Sequence, residues 1–293
     1  MKKRIDFLIV GAQKAGTSSL YTYLAQLPTV YVPAVQDVHF FLREEFYRKG
    51  ERYLDRFYGD APAGRVWGGA QAQLMYFEDC VARIKAHNPG MKIVAVLRNP
   101  IDRAYSAYWF ARYRKTETAE TFEEALAREP QRLRGTFQER AEFAYLAHGH
   151  YAGQLQPFRA AFGAEKVHCV LSDLLGKDPA AVVADVAAWL GASAPDEGIS
   201  YARANESGMA RVGWIPWLLN QDRLSALARR LTPDALRLNL RKYVLDPLLR
   251  ANTRPFRYPP MRPETRARLV EYFRPHNEAL AELLGRALPG WDS

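Results

Sequence analysis

The chain has 293 residues, 48% hydrophobic and 25% charged, with 41 Lys and Arg against 32 Asp and Glu for a net charge of +9. That is a globular composition, and its longest apolar runs, such as "FLIV" and "IVAVL", fall far short of the ~20 residues of a membrane span. Two cysteines, Cys80 and Cys169, lack metal-ligand spacing and read as buried free thiols.

The positive balance favours anionic partners. Its densest stretch, "ARRLTPDALRLNLRK" (228–242), reads as a solvated helix face that leaves peripheral membrane contact open. No basic stripe interleaved with aromatics points to nucleic acid. The N-terminus has no extended apolar region or cleavage site of a leader, so a cytoplasmic protein is expected.

In chain order, "DFLIVG" (Asp6–Gly11) has the pattern of a buried strand and leads through a glycine loop into a helix expected over about Gly16–Leu27. Gly11 and Gly16 have the spacing of the nucleotide loop G-x-x-x-x-G-K-[ST], but Thr17 follows the second glycine and the lysine, Lys14, lies mid-loop. The glycines let backbone N–H groups turn inward on an anion, and the helix N-terminus adds partial positive charge. Gln13, Lys14, Ala15, Gly16, Thr17, Ser18 and Ser19 are the expected phosphate cradle, with Lys14 reaching the outer end of the anion.

"KIVAVLR" (Lys92–Arg98) is a second buried strand, and Pro100 stands at a helix start. Ligands of a doubly wound sheet bind outside the carboxyl ends of its strands. Arg98 sits at such an end, where it can grip a phosphate while Ser106 adds a hydroxyl donor. The arginine stands where a magnesium-binding acid is needed, and Thr17 cannot replace the missing lysine, which weakens a kinase or GTPase reading at two points.

Thr121 and Glu124 have capping-box spacing, Lys166–Ser172 is a third strand, and "DPAAVVADVAAWLG" is a helix closed by Gly191. Residues 198–260 are less regular, and "RPETRARLVEYFRPHNEALAELLG" is a final amphipathic helix with Pro275 as a kink point. The alternation implies an α/β fold: a P-loop-like parallel sheet flanked by helices on both faces, with helical C-terminal additions, in one domain over 1–293.

Two anion sites on one sheet edge suit a nucleotide charged at both ends. "FLIVGAQKAGTSSLYTYL" resembles the loop of sulfotransferases that binds the 5′-phosphosulfate of 3′-phosphoadenylyl sulfate (PAPS), and "VLRNPIDRAYSAYW" resembles their 3′-phosphate segment. "QDVHFF", "KGERYLDRFY", "GHYAGQLQPFRAAFG" and "RYPPMRPETRARLVEYFRPHNEAL" are similar to the heparan-sulfate (carbohydrate) branch, here in a bacterial-type form without the Golgi setting of other members. The resemblance spans nearly the whole chain and is weakest over 198–250.

The resemblance implies an enzyme that moves a sulfuryl group from PAPS to a hydroxyl, ahead of an amine, of a carbohydrate, glycolipid or other small acceptor, with no metal. Lys14 then stabilises the leaving phosphate. The branch places its base, a glutamate, in a K-E-x-x-F-F segment, where this chain has Gln36-Asp37-Val38-His39-Phe40-Phe41. Asp37 takes the carboxylate position, one methylene shorter, and His39 is the alternative because imidazole titrates near neutral pH.

Where relatives carry G-E-x-[ST]-P-x-Y, this chain has "WGGAQAQLMYF", so Gln71 and Gln73 offer neutral hydrogen bonds to an acceptor or serve as packing. A late basic loop aligns with "NTRPFRYPP": Arg254 and Arg257 for the 3′-phosphate, Tyr258 near the adenine, with "NESGMAR" (205–211) competing for the role. Tyr105, Tyr108 and Trp109 stack on sugars or belong to the core. Two alternatives remain at this stage: a P-loop small-molecule kinase, and a non-catalytic nucleotide- or polyanion-binding protein. Acceptor identity and oligomeric state are not legible.

Overall fold

The fold is described from a computed structural model, over residues 4–193, 198–202, 208–210, 253–255 and 258–292. In chain order its elements are β1 (Phe7–Gly11), α1 (Thr17–Leu24), β2 (Val30–Tyr31), α2 (Glu44–Tyr47), α3 (Glu51–Tyr58), β3 (Val66–Ala70), α4 (Asp79–His87) and β4 (Lys92–Leu97). There follow α5 (Pro100–Tyr113), α6 (Phe122–Arg132), α7 (Phe137–Phe143), α8 (Tyr151–Phe162), β5 (Val167–Leu171), α9 (Ser172–Lys177) and α10 (Pro179–Leu190). Two short strands, β6 (Gly208–Ala210) and β7 (Thr253–Pro255), and a C-terminal helix (Pro263–Leu284) complete them.

Five strands form one parallel sheet in the order β2-β3-β1-β4-β5, flanked by helices. After β1 the chain crosses to one side of the sheet, and after β4 to the other. The carboxyl ends of these neighbouring strands therefore flank the topological switch point, where doubly wound sheets hold ligands. Every residue of β1 is buried, as is Ile93–Leu97 of β4, which is why both read as continuous apolar runs. Glycine in β3 answers to packing: a Cβ on Gly68 would lie 2.0 Å from the Phe7 ring of β1.

Local signals set several helix ends. Pro100 opens α5, and the Asn99 side chain accepts the Ile101 N–H at 3.0 Å. Gly191, at φ 78°, closes α10. The first helix ends at Leu24, three residues before the expected limit, where the chain turns ahead of Pro28. The box expected at Thr121 is half formed: Thr121 accepts the Glu124 N–H, but the Glu124 carboxylate accepts from Glu120 instead. A reciprocal box stands at Thr136 and Glu139, opening α7. The C-terminal helix runs through Pro275, and its Leu269 and Phe273 join Ile101, Tyr108 and Phe122 in a second core beside the sheet.

Cys80 is buried, Cys169 is half-buried, and both are free thiols. Among the described residues, no helix is long and apolar enough to cross a membrane. The basic stretch 228–242 lies outside the described residues.

Candidate active site

The loop after β1 is fixed by backbone contacts. The Ala12 N–H donates to the Val96 carbonyl of β4 at 2.6 Å, and the Met75 N–H to the Val10 carbonyl at 2.9 Å. Met75 comes so near that a Cβ on Gly11 would sit 2.8 Å from its own Cβ, so glycine is required there. Two positive φ angles turn the loop, 67° at Lys14 and 104° at Gly16, and Gly16 then stands at the N-cap of α1. Gln13, Lys14, Gly16, Ser18 and Ser19 are half-buried, and Ala15 and Thr17 are buried.

Lys14 and Arg98, assigned from sequence to opposite ends of a ligand, meet directly. The Arg98 guanidinium donates through Nη1 to the Lys14 carbonyl at 3.2 Å. The Tyr151 hydroxyl donates to the Arg98 carbonyl at 2.9 Å and holds the end of β4. The Lys14 ammonium lies 4.0 Å from the centroid of the Phe110 ring. Burial, then the charges of Arg98 and Arg103, lower the Lys14 pKa to about 8.

Arg103, Ser106 and Phe110 follow one another on one face of α5, and the contact of Phe110 with Lys14 turns that face to the loop. Ser106 is 5% exposed. Arg103 went unnoticed in the sequence. It is 1% exposed, donates through Nη2 to the Tyr145 carbonyl at 3.0 Å, and its Nε and Nη1 have no hydrogen-bond partner in the structure. Its spacing, three residues before Ser106, was the available signal. The charge of Glu129 partly compensates it, and that carboxylate also accepts the N–H groups of Leu146 and Ala147. His148, stacked on Tyr76 with centroids 4.0 Å apart, is kept neutral by burial, which lowers its pKa to about 3.

The segment carrying Asp37 and His39 reaches the same edge by a different route. Asp37 makes a parallel bridge to Ala70, the last residue of β3, and Ala70 pairs with Ile9 of β1. Asp37 is exposed, and its charge adds to the burial that raises the Tyr21 phenol on α1. His39 adopts a left-handed backbone, φ 60°, and its N–H donates to Gln71 Oε1 at 3.1 Å. Phe40 and Phe41 are buried, and the Tyr53 hydroxyl donates to the Val38 carbonyl at 2.7 Å. Of the two glutamines read as acceptor contacts or as packing, Gln71 holds His39 through Oε1, and Gln73 Nε2 donates to the Ala141 carbonyl at 3.2 Å.

The late basic segments fall partly in view. β7, with Arg254, pairs antiparallel to β6, Met209 opposite Arg254. "NESGMAR" and "NTRPFRYPP", read as competitors, are thus neighbours in one ladder. Arg257, Ser207 and Arg211 lie outside the described residues. Tyr258 stacks on Trp109 at 6.1 Å, and the Tyr105 hydroxyl donates to the Pro259 carbonyl at 2.9 Å. Tyr108 is core, 1% exposed. Among the described residues, no group of three or more His, Cys, Asp or Glu side chains could hold a metal ion.

This architecture defines a P-loop-like α/β protein whose glycine loop and second strand end share one edge. Residues 4–205 match the sulfotransferase domain family, and the chain belongs to that family of enzymes. It is 27% identical over 301 residues to human (Homo sapiens) bifunctional heparan sulfate N-deacetylase/N-sulfotransferase 3, an alignment covering 97% of this chain and 31% of the relative. The Mus musculus counterpart is 28% identical with the same coverage. The chain therefore spans about a third of the length of these relatives. A solved sulfotransferase structure from Alicyclobacillus acidocaldarius aligns with 99% of this chain and 100% of its own, at 28% identity and a TM-score of 0.73.

Proposed function

We propose that the protein transfers the sulfuryl group of PAPS to a hydroxyl of a carbohydrate, glycolipid or other small acceptor, in the cytoplasm. One observation carries the reading. Lys14, the N-terminus of α1 and Arg98 converge at the ends of β1 and β4, while Asp37 bridges onto the end of neighbouring β3. Fixed positive charge and an exposed carboxylate thus face one edge, as in-line transfer between an anionic donor and a protic acceptor requires.

In this reading the loop N–H groups and Lys14 hold the 5′-phosphosulfate. Arg98 and Ser106 hold the 3′-phosphate, with Arg254, Arg257 and Tyr258 closing over the nucleotide. Asp37 takes the acceptor proton as the acceptor oxygen bonds to sulfur. The bond from sulfur to the 5′-phosphate oxygen breaks, and its electron pair leaves with 3′-phosphoadenosine 5′-phosphate (PAP). Lys14 stabilises that departing oxygen, so no step calls for a metal. His39 is the alternative base. The relatives' printed names favour a second reading, an amine acceptor.

The test is Asp37→Ala, assayed with labelled PAPS on desulfated, fully N-acetylated heparan sulfate and on its N-deacetylated form, which separates hydroxyl from amine transfer. Turnover is expected to fall about 100- to 10,000-fold with PAP affinity kept, the range for loss of a general base. Undiminished transfer would remove Asp37 from the mechanism.

A further inference from the structure

We infer that Gln71 is a positioning residue whose side-chain amide holds the Asp37–His39 segment over the carboxyl end of β3. The inference rests on the reading of Asp37 as the base. The Gln71 N–H donates to the Ile9 carbonyl at 2.9 Å, so its backbone extends β3 along the central strand. Its side chain, 6% exposed, reaches the other way, and Oε1 accepts the His39 N–H at 3.1 Å. Asp37 bridges to Ala70, the residue just before Gln71. Backbone bridge and side-chain amide thus grip the segment at two points, two residues apart.

Two features make the second grip matter. His39 is a non-glycine residue at φ 60°, a conformation that persists only when its surroundings enforce it. A small cavity lined by Val38, His39, Tyr58, Gln71 and Leu74 lies against the segment, so packing is incomplete there. The hydrogen bond to Gln71 adds to that constraint, from a side chain that is itself buried. The amide contributes no proton and touches no reacting atom; it sets where the Asp37 carboxylate stands.

The experiment compares Gln71→Met, which removes the acceptor oxygen at similar volume, with Gln71→Glu, which restores one. Turnover is followed as PAP released from PAPS, with desulfated heparan sulfate or water as acceptor, and PAP affinity is measured separately. Gln71→Met is expected to slow turnover about 10- to 100-fold, the scale of a ~1 Å misplacement of a catalytic group. PAP affinity holds, Gln71→Glu recovers most of the rate, and the His39 amide exchanges faster in Gln71→Met. Adding Gln71→Met to Asp37→Ala costs nothing further, because both act through one group.

Normal turnover in Gln71→Met, no recovery in Gln71→Glu, an additive double variant, or loss of PAP binding alongside turnover would each overturn the positioning role. Full turnover in Asp37→Ala sinks the base assignment instead, and the two failures are told apart because only the former leaves Asp37→Ala slow.

Discussion

The two sides of the sheet edge are built by different means. On the β1/β4 side the backbone does most of the holding: Ala12 bonds to Val96 and Lys14 and Gly16 turn at positive φ, with the Arg98 guanidinium added on the Lys14 carbonyl. On the β3 side a segment from a distant part of the chain is laid against the strand end, gripped by the Asp37–Ala70 bridge and the Gln71 side chain. In the proposed reading, one contiguous loop supplies the N–H groups and Lys14 for phosphate, and Arg98 is added from the end of β4. In the same reading, the base is placed by the packing of segments about thirty residues apart.

The sharpest way to break this contrast is Lys14→Ala. It should lower turnover about 100- to 1000-fold, the usual loss for one preorganised charge-stabilising group, while Asp37→Ala leaves the nucleotide bound. Lys14 also gives the β1 side a pH signature. With its pKa at about 8 in the free protein, it loses its proton as pH rises through 8. A bound polyanion favours the charged form and raises that pKa. PAP binding should therefore take up protons above about pH 8 and weaken with rising pH over that same range, and calorimetry in buffers of differing ionisation enthalpy should show no such uptake for Lys14→Met. Equal uptake in the variant would place the titrating group elsewhere.

Arg98→Ala comes next in size. Hydrogen bonds to charged groups contribute about 1.5–3 kcal/mol, so preference for PAP over ADP should fall about 10- to 100-fold. Titration with both nucleotides checks this, and preserved discrimination would remove the 3′-phosphate from the end of β4.

The smallest effects concern the seam between the two sides. Gly68→Ala drives a Cβ into the Phe7 ring and should destabilise by about 1–3 kcal/mol. Gly153→Ala, in α8 with nothing within 4 Å of the added Cβ, should stabilise by about 0.5–1 kcal/mol. Denaturant melts of both variants report the pair, and equal effects would mean the β1–β3 contact is not a tight one.

Much of the fold was legible because its signals are local. Three strands, the opening of α5 at Pro100 and the close of α10 at Gly191 follow from apolar runs and capping residues. The box at Thr136 was missed and the one at Thr121 overread, because the same spacing is satisfied by either of two neighbouring N–H groups. Arg103 was missed because a basic residue three positions from Ser106 looks like helix surface until α6 and the Tyr145 segment cover it. The bond from His39 to Gln71 was not legible because nothing in "GGAQAQ" shows that His39 approaches it.

The sequence by itself determined the parallel α/β architecture, the glycine loop with its displaced lysine and the arginine at the end of the second long strand. Each depends on residues within a few positions of one another. Only the tertiary structure decided that Arg98 bonds to the backbone of Lys14, that Asp37 lies beside the end of β3, and that the two late basic segments form one ladder. These are contacts between residues tens of positions apart, and the packing of the whole chain selects them.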